Sequence, residues 1–445
     1  MKKVVKFGGS SLASAKQFKK VGDIIRADKS RRYVVPSAPG KRNKNDTKVT
    51  DMLYACYEAA STGASYGKLL SAIKERYEQI IEGLGLNLNL ELNLNLDYEF
   101  KTIEENFIAK KGSDYAASRG EYLNGIIMSH YLGYEFIDAA EVIFFDENGT
   151  FLSEKTNEEL SERLAHTERA VIPGFYGSNP DGTIHTFSRG GSDITGSIVA
   201  RAIHADLYEN WTDVSGFLVT DPRIVENPVP IETITYKELR ELAYMGASVL
   251  HEDAIFPVRR EGIPINIRNT NKPEDPGTLI VENTCRKPKY TITGIAGKTG
   301  FCSVTIEKAM MNSEIGFGRK VLGVFEDCGI SFEHMPSGID TMTIFVHQSE
   351  FEQHEQFVIS NIHRAVQPDS IELESDLALI AVVGRGMKST RGTAGRIFSA
   401  LAHARINVKM IDQGSSELNI IIGVKNADFE AAVKAIYDIF ITAEL

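Results

Sequence analysis

The pattern of apolar and polar positions divides the chain into two textures. Residues 3–7 (KVVKF) form a short apolar run that reads as a buried strand. Leu12, Phe18, Val21, Ile24 and Ile25 then recur near helical spacing and predict an amphipathic helix. RRYVVPSAPGK (31–41) is a second short strand closing on small residues, and helical stretches follow to about Leu132. Further strands are expected at 134–138, 141–145, 169–173, 183–187, 206–210 and 264–268, with helices between many of them. This alternation indicates an α/β domain with a largely parallel sheet over residues 1–285. LGLNLNLELNLNL (84–96) fits poorly. Its Leu/Asn alternation suits a strand with one apolar face, yet it is low in complexity and lies between helices, so it reads as a local insertion without chemistry.

Beyond residue 290 the texture changes. VLGVFEDCGISFEHMPSGIDTMTIFV (321–346) aligns without a gap on IFSALAHARINVKMIDQGSSELNIII, which starts 76 residues later at 397. Each copy reads helix, strand, turn, strand, with Val321/Ile397, Phe325/Leu401, Ile330/Ile406, Met342/Leu418 and Ile344/Ile420 in register. A helical stretch follows each (350–365 and 426–440). Duplicated α+β units are expected at 290–375 and 376–445. The second copy lacks a closing strand of its own, and TITGIAG (291–297) is an unattached strand that could fill that gap.

Composition narrows the class. A chain of 445 residues exceeds one ordinary core. Its net charge of −11 argues against nucleic acid or an anionic membrane as partner, and no run approaches a membrane span or a signal peptide. Cys56, Cys285, Cys302 and Cys328 are scattered, which fits neither a zinc site nor a disulfide framework and suits a reducing, cytoplasmic setting.

Candidate chemistry lies in a few turns. KFGGSS (6–11) joins a strand to a helix through two glycines; it is either a tight turn with a capping serine or a cradle for an anion. HTFSRGGSDITGSIVARAI (185–203) repeats that form, with Arg189 beside the glycines and Ser192-Asp193 opening a helix. An arginine fork beside free N–H groups suits a carboxylate or phosphate, whereas the plain alternative is an N-cap next to a surface arginine. WTDVSGFLVTDPR (211–223) sets Thr212, Asp213, Asp221 and Arg223 after a strand, where nucleotide contact and ordinary turn chemistry both fit. Glu121 in SRGEYLNG reads from spacing alone as a solvated charge. GIAGKTG (294–300) lacks the first glycine of a P-loop and reads as a turn into strand 301–306, GRGMKS (384–389) ends in Ser389, and His251-Glu252 lacks a second histidine.

Taken together, KFGGSS, Thr47 after PSAPGK, the Gly120-Glu121 pair, FSRGGSD and WTDV…TDPR resemble the aspartate kinases, and the duplicated tail resembles their paired ACT modules. The resemblance implies a three-layer αβα sandwich of the amino-acid kinase type followed by two ferredoxin-like ACT modules. It implies transfer of the γ-phosphoryl group of ATP, with Mg²⁺, to the β-carboxylate of L-aspartate. Carried over, Lys6 contacts the transferring phosphate and Gly8, Gly9 and Ser10 line its site. Thr47 and Glu121 bind substrate, Glu121 through the α-ammonium. Arg189 grips a carboxylate of aspartate with Ser192 beside it, Asp193 orients Lys6 or the substrate amine, and Thr212, Asp213 and Arg223 fall on the nucleotide side. Ser248 and Glu252 stand where the family commonly has lysine and proline, which bears on nucleotide contact. The modules imply an amino-acid effector, lysine and/or threonine, near 312–319 and 331–340, and a homodimer or higher oligomer. No further domain follows the second copy, so a monofunctional enzyme is expected. A kinase of another carboxylate and an inactive amino-acid sensor are the alternatives.

Overall fold

The computed structural model describes residues 1–86, 95–188, 190–247, 256–284 and 288–443. The chain forms two compact units. Met1–Phe217, Glu232–Tyr236 and Val249–Thr284 make the first; Leu218–Ile231, Lys237–Ser248 and Cys285–Leu445 make the second. Two excursions from before residue 285 thus belong to the second unit. Strand and helix alternation does not reveal this, because their packing partners are remote in sequence.

The strands of the first unit are β1 (Lys3–Phe7), β2 (Arg31–Pro36), β3 (Glu135–Phe136), β4 (Ala170–Val171), β5 (Tyr176–Ser178), β6 (Ile184–Thr186), β7 (Leu207–Thr212), β8 (Thr233–Thr235), β9 (Ile265–Asn269) and β10 (Thr278–Val281). Eight of them form one sheet in the order β3-β4-β2-β1-β7-β9-β10-β8, and β5 pairs with β6. Every neighbour in the large sheet is parallel except β9 with β10. β1 is central and covered on both faces, which is why its sequence is almost continuously apolar. Its period of two sends Val5 and Phe7 into a core shared with the helices Ala15–Ala27, Val49–Thr62, Gly67–Leu84, Leu96–Ile108 and Ser113–Leu132. Val4 and Lys6 point to the opposite face, on which the helix Gly191–Ala202 packs. A lysine inside a buried strand is thereby delivered to one defined place.

The structure departs from the sequence reading at 141–145. Ala139–Val142 is a short helix, N-capped by Asp138, whose Oδ1 accepts the Ala140 N–H at 3.0 Å. Of segment 84–96, residues 87–94 lie outside the described residues; on either side the chain is helical to Leu84 and again from Leu96, with Asn95 as N-cap. Among the described residues no helix is long and apolar enough to cross a membrane, and Cys56, Cys302 and Cys328 are free.

The second unit is built on one antiparallel six-stranded sheet. Its strands are β11 (Gly294–Glu307), β12 (Phe332–His334), β13 (Thr341–His347), β14 (Ser370–Val383), β15 (Met410–Asp412) and β16 (Asn419–Lys425), in the order β12-β13-β11-β14-β16-β15. Both repeat copies give the same helix–strand–strand unit, from Phe317–Asp327 and from Thr393–His403. The long strands β11 and β14 serve both copies. Phe301–Glu307 lies between β13 and the first half of β14, whereas Gly294–Thr299 lies against Val383–Ala378, the half of β14 that pairs with β16. GIAGKTG is therefore strand, not the turn expected of it, with a register shift where Gly300 has φ 91°.

Candidate active site

The first unit carries a cavity of 890 Å³ lined by the second glycine turn and by Lys6, two residues before the first. Lys6 and Glu121 line it together with Ser188, Gly190, Gly191, Ser192 and Asp193. Lys6 is only 8% exposed, and its ammonium lies 2.6 Å from Asp193 Oδ1. Asp193 Oδ1 also accepts Asn210 Nδ2–H at 2.8 Å from β7. Three elements, β1, β7 and the helix after Gly190, thus fix one ammonium. Gly190 makes the bend with φ 76°, a left-handed conformation in which glycine is unstrained.

The first turn is held by backbone packing. Gly8 N–H donates to the Trp211 carbonyl at 3.0 Å, and Gly40 N–H donates to the Gly9 carbonyl at 2.8 Å. A Cβ on Gly9 would stand 2.9 Å from the Ala38 carbonyl oxygen, so the turns after β1 and β2 can approach this closely only with glycine. Gly8 sits beside the Lys6 ammonium, 3.7 Å from where its own Cβ would be. Ser10 follows, and its carbonyl accepts from Gln17 Nε2 at 3.5 Å. Thr212 and Asp213 lie at the same carboxyl edge of the sheet, since Phe7 pairs with Trp211 in parallel register. The Thr212 hydroxyl is 3.2 Å from Asp213 Oδ1. Gly8, Gly9, Ser10, Thr212 and Asp213 are not among the residues lining the cavity.

Glu121 is not the solvated charge that spacing suggests. It is 5% exposed on the helix Ser113–Leu132. Burial pushes its carboxyl up to about 8, against the lowering effects of backbone hydrogen bonds, Ala38 included, and of the Lys6 charge. Its Oε2 has no hydrogen-bond partner among the described residues. A buried carboxyl group with one oxygen left without a partner, beside a cavity, has room for a ligand's hydrogen-bond donor.

Thr47 is not brought to the cavity. It is exposed, and its carbonyl accepts from Arg76 Nη1 at 3.1 Å. Thr50, in the first turn of the helix Val49–Thr62, lines the cavity instead, with Lys48, Asp51 and Tyr54. Arg223 belongs to the second unit, where it pairs with its near neighbour Asp221 at 2.6 Å on the wall of another cavity, of 530 Å³. Arg189, Ser248 and Glu252 lie outside the described residues.

The sequence reading also missed an aromatic wall made by Phe145, Phe151, Phe175 and Phe187. Phe175 has φ 83°, a strained conformation for a bulky side chain. It is pinned by its N–H donating to Thr195 Oγ1 at 3.0 Å and its carbonyl accepting from Phe187 at 2.9 Å. The Gly174-Phe175 dipeptide before the short strand β5 was the available signal, and strain of this kind clusters at functional sites.

A buried lysine locked to a carboxylate and a glycine bend thus lie on one cavity with several acidic side chains, and comparison with known proteins gives the class of protein that carries them. The model of the amino acid kinase family matches residues 1–269, and that of an ACT domain matches residues 380–440. Aspartokinase 3 of Bacillus subtilis is 42% identical over all of this chain and 99% of its own length. The crystal structure of Clostridium acetobutylicum aspartate kinase, described as an allosteric enzyme, superposes with a TM-score of 0.89 at 52% identity, covering 98% of this chain and 99% of that one. Escherichia coli aspartokinase III, solved with lysine and aspartate in its T-state, superposes at 0.72 with 25% identity over 98% and 99% of the two chains. The chain belongs to the aspartokinases, ATP-dependent kinases whose phosphoryl acceptor is a carboxyl group.

Proposed function

We propose that the protein transfers the γ-phosphoryl group of ATP to the β-carboxylate of L-aspartate, giving β-aspartyl phosphate, the entry step to lysine, threonine and methionine. The observation that carries this reading is the Lys6–Asp193 pair in a cavity shared with Glu121, whose Oε2 has no hydrogen-bond partner among the described residues. A carboxylate with a reference pKa of about 3.9 is already ionised at neutral pH and needs no general base. The barrier is repulsion between two anions and the charge that builds on the transferred group, so positioning and neutralisation carry the catalysis. Lys6 meets the transferring phosphate and Asp193 holds its ammonium in place. Glu121 takes the substrate ammonium. Ser192 and Arg189 hold carboxylate, with Thr50 supplying a hydroxyl. Gly8, Gly9, Ser10, Thr212 and Asp213 at the carboxyl edge serve the nucleotide. Mg²⁺, carried on the phosphates of ATP, supplies further neutralisation and needs no protein cage of its own.

The second unit acts in this reading as a regulatory and dimerisation element that binds lysine, threonine or both, in a cytoplasmic enzyme. That the E. coli relative was solved with lysine and aspartate supports this assignment. Purified protein given Mg-ATP, aspartate and hydroxylamine should accumulate aspartyl hydroxamate, with little product from glutamate and less product when lysine or threonine is added. Product from glutamate but not from aspartate would reassign the substrate.

Two substitutions three residues apart check the site's edge. Thr50→Ala should raise the KM for aspartate by about twofold to tenfold, the span of one lost neutral hydrogen bond. Thr47→Ala should leave it unchanged within about twofold. The reverse pattern in steady-state kinetics would return the substrate contact to Thr47.

A further inference from the structure

GRGMKS (384–389) has no task in the reading above. It follows β14 and leads toward the helix Thr393–His403, and the 76-residue repeat extends back through it. Met387, Ser389 and Gly392 match Met311, Ser313 and Gly316 of the first copy, and Gly316 and Gly392 share a φ of 82° before their helices. The two copies of this turn differ in what they meet. Ala309 and Met310 of the first copy are exposed. Their counterparts Arg385 and Gly386 sit in a turn packed on the chain that enters β11. A Cβ on Gly386 would stand 2.5 Å from the Thr291 carbonyl oxygen, and one on Gly384 would stand 2.7 Å from Ile292 Cα, an approach that only glycine permits.

Arg385 reaches Glu238, which is 0% exposed. The Glu238 carboxylate accepts Arg385 Nη1–H at 2.9 Å, the Arg385 backbone N–H at 2.9 Å and the Thr293 hydroxyl at 2.6 Å. Glu238 stands on the helix Tyr236–Tyr244, whose first residue belongs to the first unit and whose remainder belongs to the second. Tyr236 follows β8, a strand of the large sheet, and its buried hydroxyl donates to the Ile263 carbonyl at 2.9 Å. One helical turn thus carries a fixed anchor in each unit. The next turn stays fastened to the second unit, since Asn419 of β16 donates to Glu241 at 2.6 Å and a Cβ on Gly294 would meet Leu242 Cδ1 at 2.6 Å.

A carboxylate without exposure cannot lose its cation by degrees. If the GRGMKS turn shifts, either the helix shifts with it or a charge is stranded in the interior, a cost that makes the pair an on-or-off element. We propose that the Glu238–Arg385 pair is a coupling joint, which fastens this helix to the turn so that ligand occupancy in the first unit is registered at Gly384–Ser389. By linkage, the state of the turn alters ligand affinity in the first unit to the same extent. The inference takes from the aspartate reading only the choice of ligand.

The test is hydrogen exchange read by mass spectrometry on the full chain, with and without MgADP plus aspartate, alongside binding and melting calorimetry. In wild type the ligands should slow exchange at Thr291–Gly294 and Gly384–Ser389 by about fivefold or more, the lower end of ordinary coupling between sites, and the chain should melt in one transition. Glu238→Met combined with Arg385→Met removes the pair without stranding either charge. This double variant should bind the ligands within about threefold of wild type, lose the slowing at both segments and melt in two transitions, only one of which the ligands shift. Thr293→Val, a milder lesion that removes one donor to Glu238, should reduce the slowing to less than about twofold even if the double variant does not fold. Slowing that survives either replacement, or a wild type that shows none or melts in two transitions, overturns the joint while leaving the aspartate reading intact. Ligands that do not bind wild type would instead overturn the aspartate reading, and the melts, which need no ligand, would then decide the joint.

Discussion

Lys6→Met should lower turnover by about 10³-fold, the scale of losing a preorganised charge at the point where transition-state charge develops. The protein should stay folded. Methionine fills a similar volume in β1, and Asp193 keeps its Asn210 hydrogen bond and its access to the cavity, so no charge is stranded in the core. The measurements are single-turnover phosphoryl transfer and a thermal melt of the same preparation. Because the ammonium acts on the transferred group, the loss should fall mainly on kcat, with the KM for aspartate moving by less than about tenfold. A near-normal rate would remove Lys6 from the chemistry.

The second large effect belongs to Glu121. Its carboxyl is pushed from 4.5 up to about 8, so between those values the folded chain holds a proton that the unfolded chain has released. Stability must therefore fall as pH rises through that window and level off above it. Glu121→Gln should remove that slope and stabilise the free protein by about 4 kcal/mol at pH 8. Binding an ammonium reverses the balance, because the ionised carboxylate is the form that pairs with it. At pH 7 aspartate binding should release nearly one proton, visible as a dependence of the binding enthalpy on buffer, and the KM for aspartate should fall as pH rises to about 8. In Glu121→Gln the proton release should vanish and the KM should rise by about tenfold to a hundredfold. Stabilisation accompanied by weaker substrate binding separates a ligand site from a packing role. A wild-type protein that releases no proton would mean that some other group receives the ammonium.

Much of the fold could be read from the sequence where burial is complete. β1 and β2 are central strands of a parallel sheet, and such strands are mostly apolar, as Val4-Val5 and Tyr33–Val35 are. β5, β8 and β10, with sequences YGS, TIT and TLIV, have three or four residues each, too few for a period to show. GIAGKTG misled because its glycines suggested a turn. In the structure Gly297 serves close approach within a strand, since a Cβ there would meet the Leu379 carbonyl at 2.7 Å.

The site shows the same division. That Lys6 and Asp193 share one place was legible only through the resemblance, because the glycine turns by themselves fit a plain capped turn equally well. Thr50 drew no attention in the sequence because the resemblance pointed to Thr47, and the helix that carries Thr50 to the cavity opens after Lys48, a poor capping type that hides its start. The burial of Glu121 was hidden because most residues of its helix from Ala116 to Ser129 are buried, which erases the amphipathic signal.

The most direct measurement is a crystal structure of the protein with aspartate and a non-hydrolysable ATP analogue. The account predicts the aspartate ammonium at Glu121 and a β-carboxylate oxygen about 3 to 3.5 Å from the γ-phosphorus, in line with the leaving oxygen and with Lys6 beside the γ-phosphate. Either ligand bound away from the cavity that Lys6 and Glu121 share, or an amino acid whose ammonium points away from Glu121, would contradict it.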